Sequence, residues 1–366
     1  LRYQQRGVAT PWVDDFRQII IEFANETWHQ QMVEAQWSGW GPTYSIGSGG
    51  REFGLYAAYI TENLEALQPR FATLRSAGRI AFNMGDGYYP YAADGIEFVP
   101  DITALGHATY VGPRWETGDI LNTVFDDDGV QTTLLAHAES FAHDLERWRI
   151  EREQIAEEHG IFVDFQAYEG GPSGYTFDGP EDLRAIAELY GKSLAMGVAS
   201  LDGWLSAYEN GFTEMAFYSF TARETWSSHT LNSVNYPHGY QPHTGWLAVQ
   251  LRNRHAHGDM VAVEFPESPT IERDGEEIPL VSGYAFREGS RLAVFLLSRK
   301  LDGQHSGLDF GDGGTPVTLR LPGTPSGPAT LYRLTGDPRA NNWDGNNIVI
   351  EELPATLNRE TQITLP

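Results

Sequence analysis

The sequence predicts an α/β fold in which a parallel sheet or barrel over residues 1–257 precedes an antiparallel β-sandwich over residues 258–366. Two observations predict it. Up to about residue 245, short apolar runs alternate with stretches of helical periodicity, as in a parallel sheet whose strands are joined by helices. After about Gly258, short strands with alternating side chains are separated by turn residues, which is typical of an antiparallel sandwich.

Five strands are predicted in the first part. Each is a short apolar run that ends in polar residues, and they lie at residues 19–25, 79–84, 102–111, 161–169 and 214–221. Three helices are predicted between them, over residues 54–74, 133–160 and 181–201, and Gly160 is expected to end the second. The acidic run Asp126–Asp128 is expected to begin a helix, because negative charge there favours the helix dipole.

Eight short strands are predicted in the second part, the first starting at Met260 and the last ending at Pro366. Turn sequences such as RDGEE (273–277) and REGS (287–290) separate them.

Composition narrows the class of protein. The chain has 366 residues, of which 50 are acidic and 25 basic, so its formal net charge is −25. This charge disfavours DNA, RNA or an anionic membrane surface as the main partner. The absence of cysteine excludes disulfides and Cys-ligated metal sites. No apolar run reaches the ~20 residues that a membrane-spanning helix needs.

Two glutamates end predicted strands. Asn25 and Glu26 follow the apolar run IIIEFA, with Trp28 and His29 just beyond, and Glu169 ends the run IFVDFQAYE. In a parallel barrel the active site lies at the carboxyl ends of the strands. A glutamate there, with an amide beside it and aromatic rings around it, is placed for proton transfer to a sugar. Two glycines after Glu169 allow a tight turn and close approach of a ligand.

The order strand–Asn–Glu and, later, strand–Glu resembles the clan A glycoside hydrolases, which are (β/α)8 barrels with an acid/base glutamate after strand four and a nucleophilic glutamate after strand seven. The appended sandwich, with RLTGDPRANN at 333–342, also resembles members of that clan. The resemblance implies that Glu26 is the general acid/base, that Glu169 is the nucleophile and that Asn25 binds the 2-hydroxyl of the sugar.

Further substrate-binding residues are expected around the two glutamates. His107 and Tyr110 lie on the strand that would be the sixth, and Trp226 follows the strand that would be the eighth, at positions where members of the clan bind substrate. Arg114 could bind a uronic or sulfated sugar, or form an ordinary ion pair. The predicted substrate-binding set is Asn25, Trp28, His29, His107, Tyr110, Arg114 and Trp226.

The resemblance implies a retaining hydrolase of a β-linked oligo- or polysaccharide, with the two carboxyl groups ~5–5.5 Å apart. Glu26 must start protonated, so we expect its pKa to be raised by enclosure and by the charge of Glu169. Because two carboxylates perform the chemistry, we expect no cofactor and no metal ion.

The five predicted strands correspond to strands four to eight of the barrel. We therefore expect strands one to three to lie upstream of Leu1 or on a second chain, and we expect a secreted or periplasmic protein. Three other functions remain open at this point: a non-catalytic carbohydrate-binding protein on the same fold, a transglycosylase, and a metal-dependent enzyme such as an isomerase.

Overall fold

The computed structural model describes residues 17–22, 58–59, 61–66, 69–78, 80–85, 96, 102–113, 125–172, 181–220, 227–229, 241–301 and 314–365. Within them the chain forms two compact units. The first comprises Leu1–Ala108, Arg147–Tyr168 and Gly211–Met215; the second comprises Thr109–Glu146, Glu169–Asn210 and Ala216–Pro366. The boundary predicted between residues 257 and 258 stays a prediction.

Five strands form one sheet in the order β1-β2-β3-β4-β5. Their bounds are β1 Ile19–Glu22, β2 Ile80–Gly85, β3 Ala104–Val111, β4 Asp164–Pro172 and β5 Phe212–Met215. The pairs β1–β2, β2–β3 and β4–β5 are parallel. Each predicted strand overlaps one of these five, but β5 shares only residues 214 and 215 with the predicted strand 214–221. Sequential order with parallel pairing is the topology that the alternation of strands and helices predicts.

The described helices include α1 Pro69–Ser76, α2 Asp127–Leu134, α3 Ala142–His159, α4 Glu181–Gly191, α5 Leu194–Glu209 and α6 Thr244–His255, with a π-helical turn at His137–Phe141 between α2 and α3. Residues 58–59 and 61–66 are helical as well. Asp126 is the N-cap of α2, as the acidic run predicts. Gly160 follows α3 with a φ of 68°, a left-handed conformation that favours glycine at a helix end. No helix in the described part of the chain has the length and hydropathy to cross a membrane.

Two predicted helices are divided by local chemistry. The stretch 181–201 is two helices, because Ser193 is extended and its hydroxyl accepts a hydrogen bond from the Met196 amide, capping α5. The stretch 54–74 contains Pro69, the first residue of α1, a position where the missing N–H costs nothing.

Aromatic side chains form the core of the first unit. The Trp148 ring of α3 stacks on His107 of β3, with 4.3 Å between the ring centroids. Phe165 and Phe212 pack against each other at 5.2 Å, and both lie within about 6 Å of His107. The Arg152 guanidinium covers the Phe165 ring at 4.5 Å. These contacts hold α3 against one face of the sheet.

The second unit contains the antiparallel strands. They are β6 Asp259–Val261, β7 Thr270–Arg273, β8 Glu276–Pro279, β9 Val281–Glu288, β10 Arg291–Ser298, β11 Thr315–Arg320, β12 Ala329–Leu334, β13 Ile350–Ala355 and β14 Glu360–Leu365. They pair as β10-β9-β6, β11-β14, β12-β13 and β7-β8. The eight predicted segments are all strands, and one of them is divided at Leu280 into β8 and β9.

Helix α5 is almost wholly buried and connects the parts of the second unit. Its Trp204 indole donates a hydrogen bond to the Thr109 carbonyl at the end of β3, 3.2 Å away. Its Asp202 carboxylate accepts hydrogen bonds from Ser282, Tyr284 and Arg299. Helix α5 is thus hydrogen-bonded both to the end of the parallel strand β3 and to residues of the antiparallel strands.

Candidate active site

The carboxyl end of β4 carries Glu169, which is partly exposed. The Thr109 hydroxyl of β3 donates to the Glu169 carbonyl at 3.5 Å, and the Tyr218 amide donates to the Gly170 carbonyl at 2.8 Å. The backbone at Glu169 is therefore held between the end of β3 and the segment that follows β5. This is the edge of a parallel sheet at which catalytic residues of α/β enzymes lie.

Glycine is needed at positions 170 and 171 because atoms of Thr109 and Tyr218 lie too close to the backbone for a side chain. A Cβ atom on Gly170 would lie 2.1 Å from the Thr109 hydroxyl oxygen and 2.7 Å from the Thr109 carbonyl oxygen. A Cβ on Gly171 would lie 3.1 Å from the Tyr218 carbonyl oxygen. The two glycines thus allow the strand ends to pack closely beside Glu169.

Tyr110 lies at this edge. Its ring is 3.9 Å from the point where a Cβ on Gly171 would stand, and the side chain is partly exposed. That Tyr110 contacts substrate stays a prediction.

His107 lies on the other face of β3, and this corrects the expectation that it binds substrate. Its side chain is completely buried and its ring stacks on Trp148. Successive strand residues point to opposite faces, so residues three apart cannot share one. Strand alternation alone predicts that His107 and Tyr110 point to opposite faces of the sheet. The stacking of His107 on Trp148 shows that His107 is the residue that points toward helix α3.

Six of the predicted site residues lie outside the described residues: Asn25, Glu26, Trp28, His29, Arg114 and Trp226. Their roles, and the separation of the Glu26 and Glu169 carboxyl groups, stay predictions. In the described ranges, no group of three or more His, Asp or Glu side chains is arranged to hold a metal ion.

The structure adds a cluster of rings that the sequence analysis did not single out, formed by Phe220, His229 and Trp246. Ring centroids are 4.7 Å apart for Phe220–His229 and 5.0 Å apart for His229–Trp246. Phe220 is 60% exposed, which leaves an apolar face open to a ligand. The sequence could have pointed to this cluster through chain position: Phe220 lies at the end of the last predicted parallel strand, and His229 and Trp246 follow it in the chain.

His229 is a neutral hydrogen-bonding group in this cluster. The Ser228 hydroxyl donates to the Phe220 carbonyl at 2.8 Å and lies 2.8 Å from His229 Nδ1. Because the single hydroxyl hydrogen is used, Nδ1 carries the proton and Nε2 is an acceptor. Burial lowers the pKa of His229, which keeps the ring uncharged near neutral pH. Such a group can accept a hydrogen bond from a sugar hydroxyl.

Comparison with known proteins shows that the chain shares its fold with solved glycoside hydrolase structures. No protein-family model and no curated protein matches the sequence. Among solved structures, an α-L-arabinofuranosidase of family GH51 from Thermotoga petrophila RKU-1 matches with a TM-score of 0.65 and 15% identity, covering 100% of this chain and 67% of that one. The Thermotoga maritima α-L-arabinofuranosidase in complex with arabinose matches with a TM-score of 0.62 and 16% identity, covering 94% and 63%.

A second type of enzyme matches as well. A Paenibacillus polymyxa xyloglucanase of glycoside hydrolase family 44 has a TM-score of 0.55 and 11% identity, covering 95% of this chain and 64% of that one. The chain thus spans about two thirds of the length of these proteins. Both families belong to the clan A glycoside hydrolases, so the resemblance to that clan is confirmed at the level of the fold.

Proposed function

We propose that this protein is a retaining glycoside hydrolase in which Glu169 is the nucleophile and Glu26 the general acid/base. The observation that carries the proposal is the position of Glu169, partly exposed at the carboxyl end of a parallel strand in a fold shared with clan A glycoside hydrolases. A tyrosine, a neutral histidine and an exposed phenylalanine in the same unit are suitable neighbours for a sugar.

The proposed reaction has two steps. The Glu169 carboxylate attacks the anomeric carbon while the bond to the leaving oxygen breaks, and Glu26 gives its proton to that oxygen. Glu26 then takes a proton from water, the water oxygen attacks the anomeric carbon, and Glu169 is released. Asn25 binds the 2-hydroxyl in this scheme. Two inversions restore the starting configuration, and the geometry needs the two carboxyl groups ~5–5.5 Å apart.

The substrate we propose is a β-linked oligo- or polysaccharide. A second candidate, an α-L-arabinofuranoside, is favoured by the names of the GH51 structures that match. The two are separated by assaying the protein on p-nitrophenyl β-glycosides, p-nitrophenyl α-L-arabinofuranoside and xyloglucan. Hydrolysis of the arabinofuranoside alone would replace the β-linked proposal.

Replacement of the nucleophile tests the mechanism. We expect Glu169→Gln to lower kcat by at least about 10³-fold with the fold intact. Glu277→Gln, an exposed glutamate of β8, is the matched control and should keep full activity. With Glu169→Gly, added azide should restore turnover and yield a glycosyl azide of inverted configuration. Full activity in Glu169→Gln would contradict the proposed role.

The rest of the architecture is also a proposal. We propose that the five strands are strands four to eight of a (β/α)8 barrel and that residues 258–366 form a β-sandwich. We propose a secreted or periplasmic location.

A further inference from the structure

Phe220 lies close to the strand end that carries Glu169. The Tyr218 amide donates to the Gly170 carbonyl at 2.8 Å, and backbones paired in this way are about 5 Å apart. Phe220 is two residues further along the chain, and two residues span at most about 7 Å. The Cα atom of Phe220 is therefore within roughly 12 Å of the Cα atom of Gly170. A short oligosaccharide can contact both Phe220 and Glu169.

Hydrogen bonds hold Phe220 and His229 side by side. The Ser228 amide donates to the Ser219 carbonyl, and the Ser228 hydroxyl donates to the Phe220 carbonyl, both at 2.8 Å. The Ser227 hydroxyl donates to the His229 carbonyl at 2.7 Å. Ser228 is fully buried, so its hydrogen bonds are shielded from competing water. The backbone positions of both rings are thus set without a ligand.

The Phe220 ring has a face that no neighbouring ring covers. Its plane meets those of His229 and Trp246 at 49° and 75°, so neither ring stacks flat on it. With 60% of Phe220 exposed, the uncovered part of the ring is large. The apolar C–H face of a sugar buries well against such a ring.

His229 supplies a hydrogen-bond acceptor beside that ring. Its Nδ1 donates to Ser228, which leaves Nε2 as the acceptor. Within the described part of the chain nothing bonds Nε2, and this nitrogen is not buried, so a ligand can reach it. Burial lowers the pKa of His229, so none of the three rings in the cluster carries a charge near neutral pH. An uncharged sugar unit, with an apolar face and hydroxyl donors, matches this combination.

We propose that Phe220 and His229 form the subsite for the sugar unit linked to the one that is cleaved, with that unit stacked on Phe220 and one of its hydroxyls donating to His229 Nε2. The inference rests on the proposed glycosidase function and names the sugar that this part of the site takes. The subsite selects an uncharged unit over a uronic acid, because none of the three rings offers a cation to a carboxylate.

Two pairs of substrates test the subsite, one for each candidate substrate: β-glucosyl fluoride with cellotriose, and α-L-arabinofuranosyl fluoride with linear arabinotriose. Each fluoride fills only the site of the cleaved unit. We expect Phe220→Ala to lower the ratio of kcat/KM for the trisaccharide to kcat/KM for the fluoride by about 3–10-fold. His229→Phe should lower the same ratio by about 3–10-fold, because it keeps the ring and removes the acceptor.

Phe162→Ala is the matched control. Phe162 is 73% exposed and precedes β4, at the opposite end of that strand from Glu169, so this variant should keep the ratio of the parent. Phe220→Tyr and His229→Gln should recover most of the ratio, because they retain an aromatic face and a hydrogen-bond acceptor. Thermal unfolding of each variant identifies any loss of fold.

Calorimetry gives a readout that needs no turnover. In the Glu169→Gln background, Phe220→Ala should weaken binding of the trisaccharide by about 3–10-fold. A ratio and an affinity equal to those of the parent, in either Phe220→Ala or His229→Phe, would overturn the subsite. Full activity of Glu169→Gln itself would contradict the proposed function instead, and the subsite would fail with it.

Discussion

Asp202 and Arg299 form an ion pair inside the protein, with 2.6 Å between Oδ2 and Nε, that joins helix α5 to the residue following β10. Asp202 is 1% exposed and also accepts hydrogen bonds from Ser282 and Tyr284, both 2.7 Å away. A buried pair of this kind adds little net stability over an apolar pair, but loss of one partner leaves an uncompensated charge. The pair therefore makes the attachment of α5 to the antiparallel strands sensitive to a single substitution.

The first prediction concerns this pair. Arg299→Met should lower the free energy of unfolding by about 3–5 kcal/mol, because the Asp202 carboxylate stays buried without its cation. Arg320→Met removes an exposed pair with Glu360 and should cost less than about 1 kcal/mol. Urea unfolding measures both. Equally small losses of stability in both variants would contradict the prediction, because they would mean that the Asp202 carboxylate is stabilised without Arg299.

The same pair has a pH signature. Burial alone would raise the pKa of Asp202, but Arg299, His137 and Ser282 together outweigh it and hold that pKa below its usual value. A carboxylate with a depressed pKa contributes stability above its unfolded pKa of about 3.9, and the contribution is lost as the pH falls through the folded pKa. In Asp202→Asn, unfolding followed from pH 5 to pH 2 should show less loss of stability than in the parent.

His243 makes the protein sensitive to mild acid. Burial, with the charge of Lys192 and with His229, lowers the pKa of His243 to about 2. The folded state keeps the ring neutral while the unfolded state takes up a proton below about pH 6.5, so stability falls as the pH drops from there. From pH 7 to pH 4.5 we expect this group to cost about 2–3 kcal/mol.

A substitution isolates that effect. The His243 ring lies nearly parallel to that of Trp343, with 6.1 Å between centroids. His243→Phe keeps an aromatic ring there that cannot be protonated, so the stability of this variant should change less between pH 7 and pH 4.5. His159→Gln, at the exposed end of α3, is the control and should follow the parent. Chemical unfolding at each pH gives the comparison, and identical profiles for His243→Phe and the parent would refute the assignment.

Gly170→Ala should disturb Glu169 without touching its side chain. The new methyl would meet the Thr109 hydroxyl and carbonyl, so the end of β4 must move. We expect a loss of about 1–3 kcal/mol in stability and a fall in kcat of about 10-fold or more. Gly323→Ala is matched, since a Cβ there has nothing within 4 Å, and it should leave both quantities unchanged.

The variant His107→Phe tests whether His107 is a core residue or a substrate-binding residue. The ring is buried against Trp148, Phe165 and Phe212, so phenylalanine should cost less than about 1.5 kcal/mol and leave KM unchanged. His107→Ala should cost about 2–4 kcal/mol, because it leaves a cavity. A raised KM in a stable His107→Phe protein would restore the role in substrate binding.

The helices show which features of the fold the apolar pattern of the sequence predicts and which it does not. Apolar periodicity located them but not the helix start at Pro69 or the division at Ser193, where the Ser193 side chain caps the second helix. The strand predicted at 214–221 begins and ends earlier, at Phe212–Met215. Beyond it the chain turns to bond Gly170 and Ser228, contacts between residues distant in sequence that no local pattern contains.

The sequence by itself determined the succession of strands and helices, the change to antiparallel strands after about residue 258, and Glu169 at a strand end. These depend on the period of apolar residues and on turn chemistry, which are local. Only the tertiary structure decided that His107 lies in the core, that Phe220, His229 and Trp246 form one cluster, and that the Trp343 ring lies beside His243 and the Lys192 ammonium. Those arrangements depend on packing between segments up to about 150 residues apart, where complementary shape and burial, not periodicity, select the neighbours.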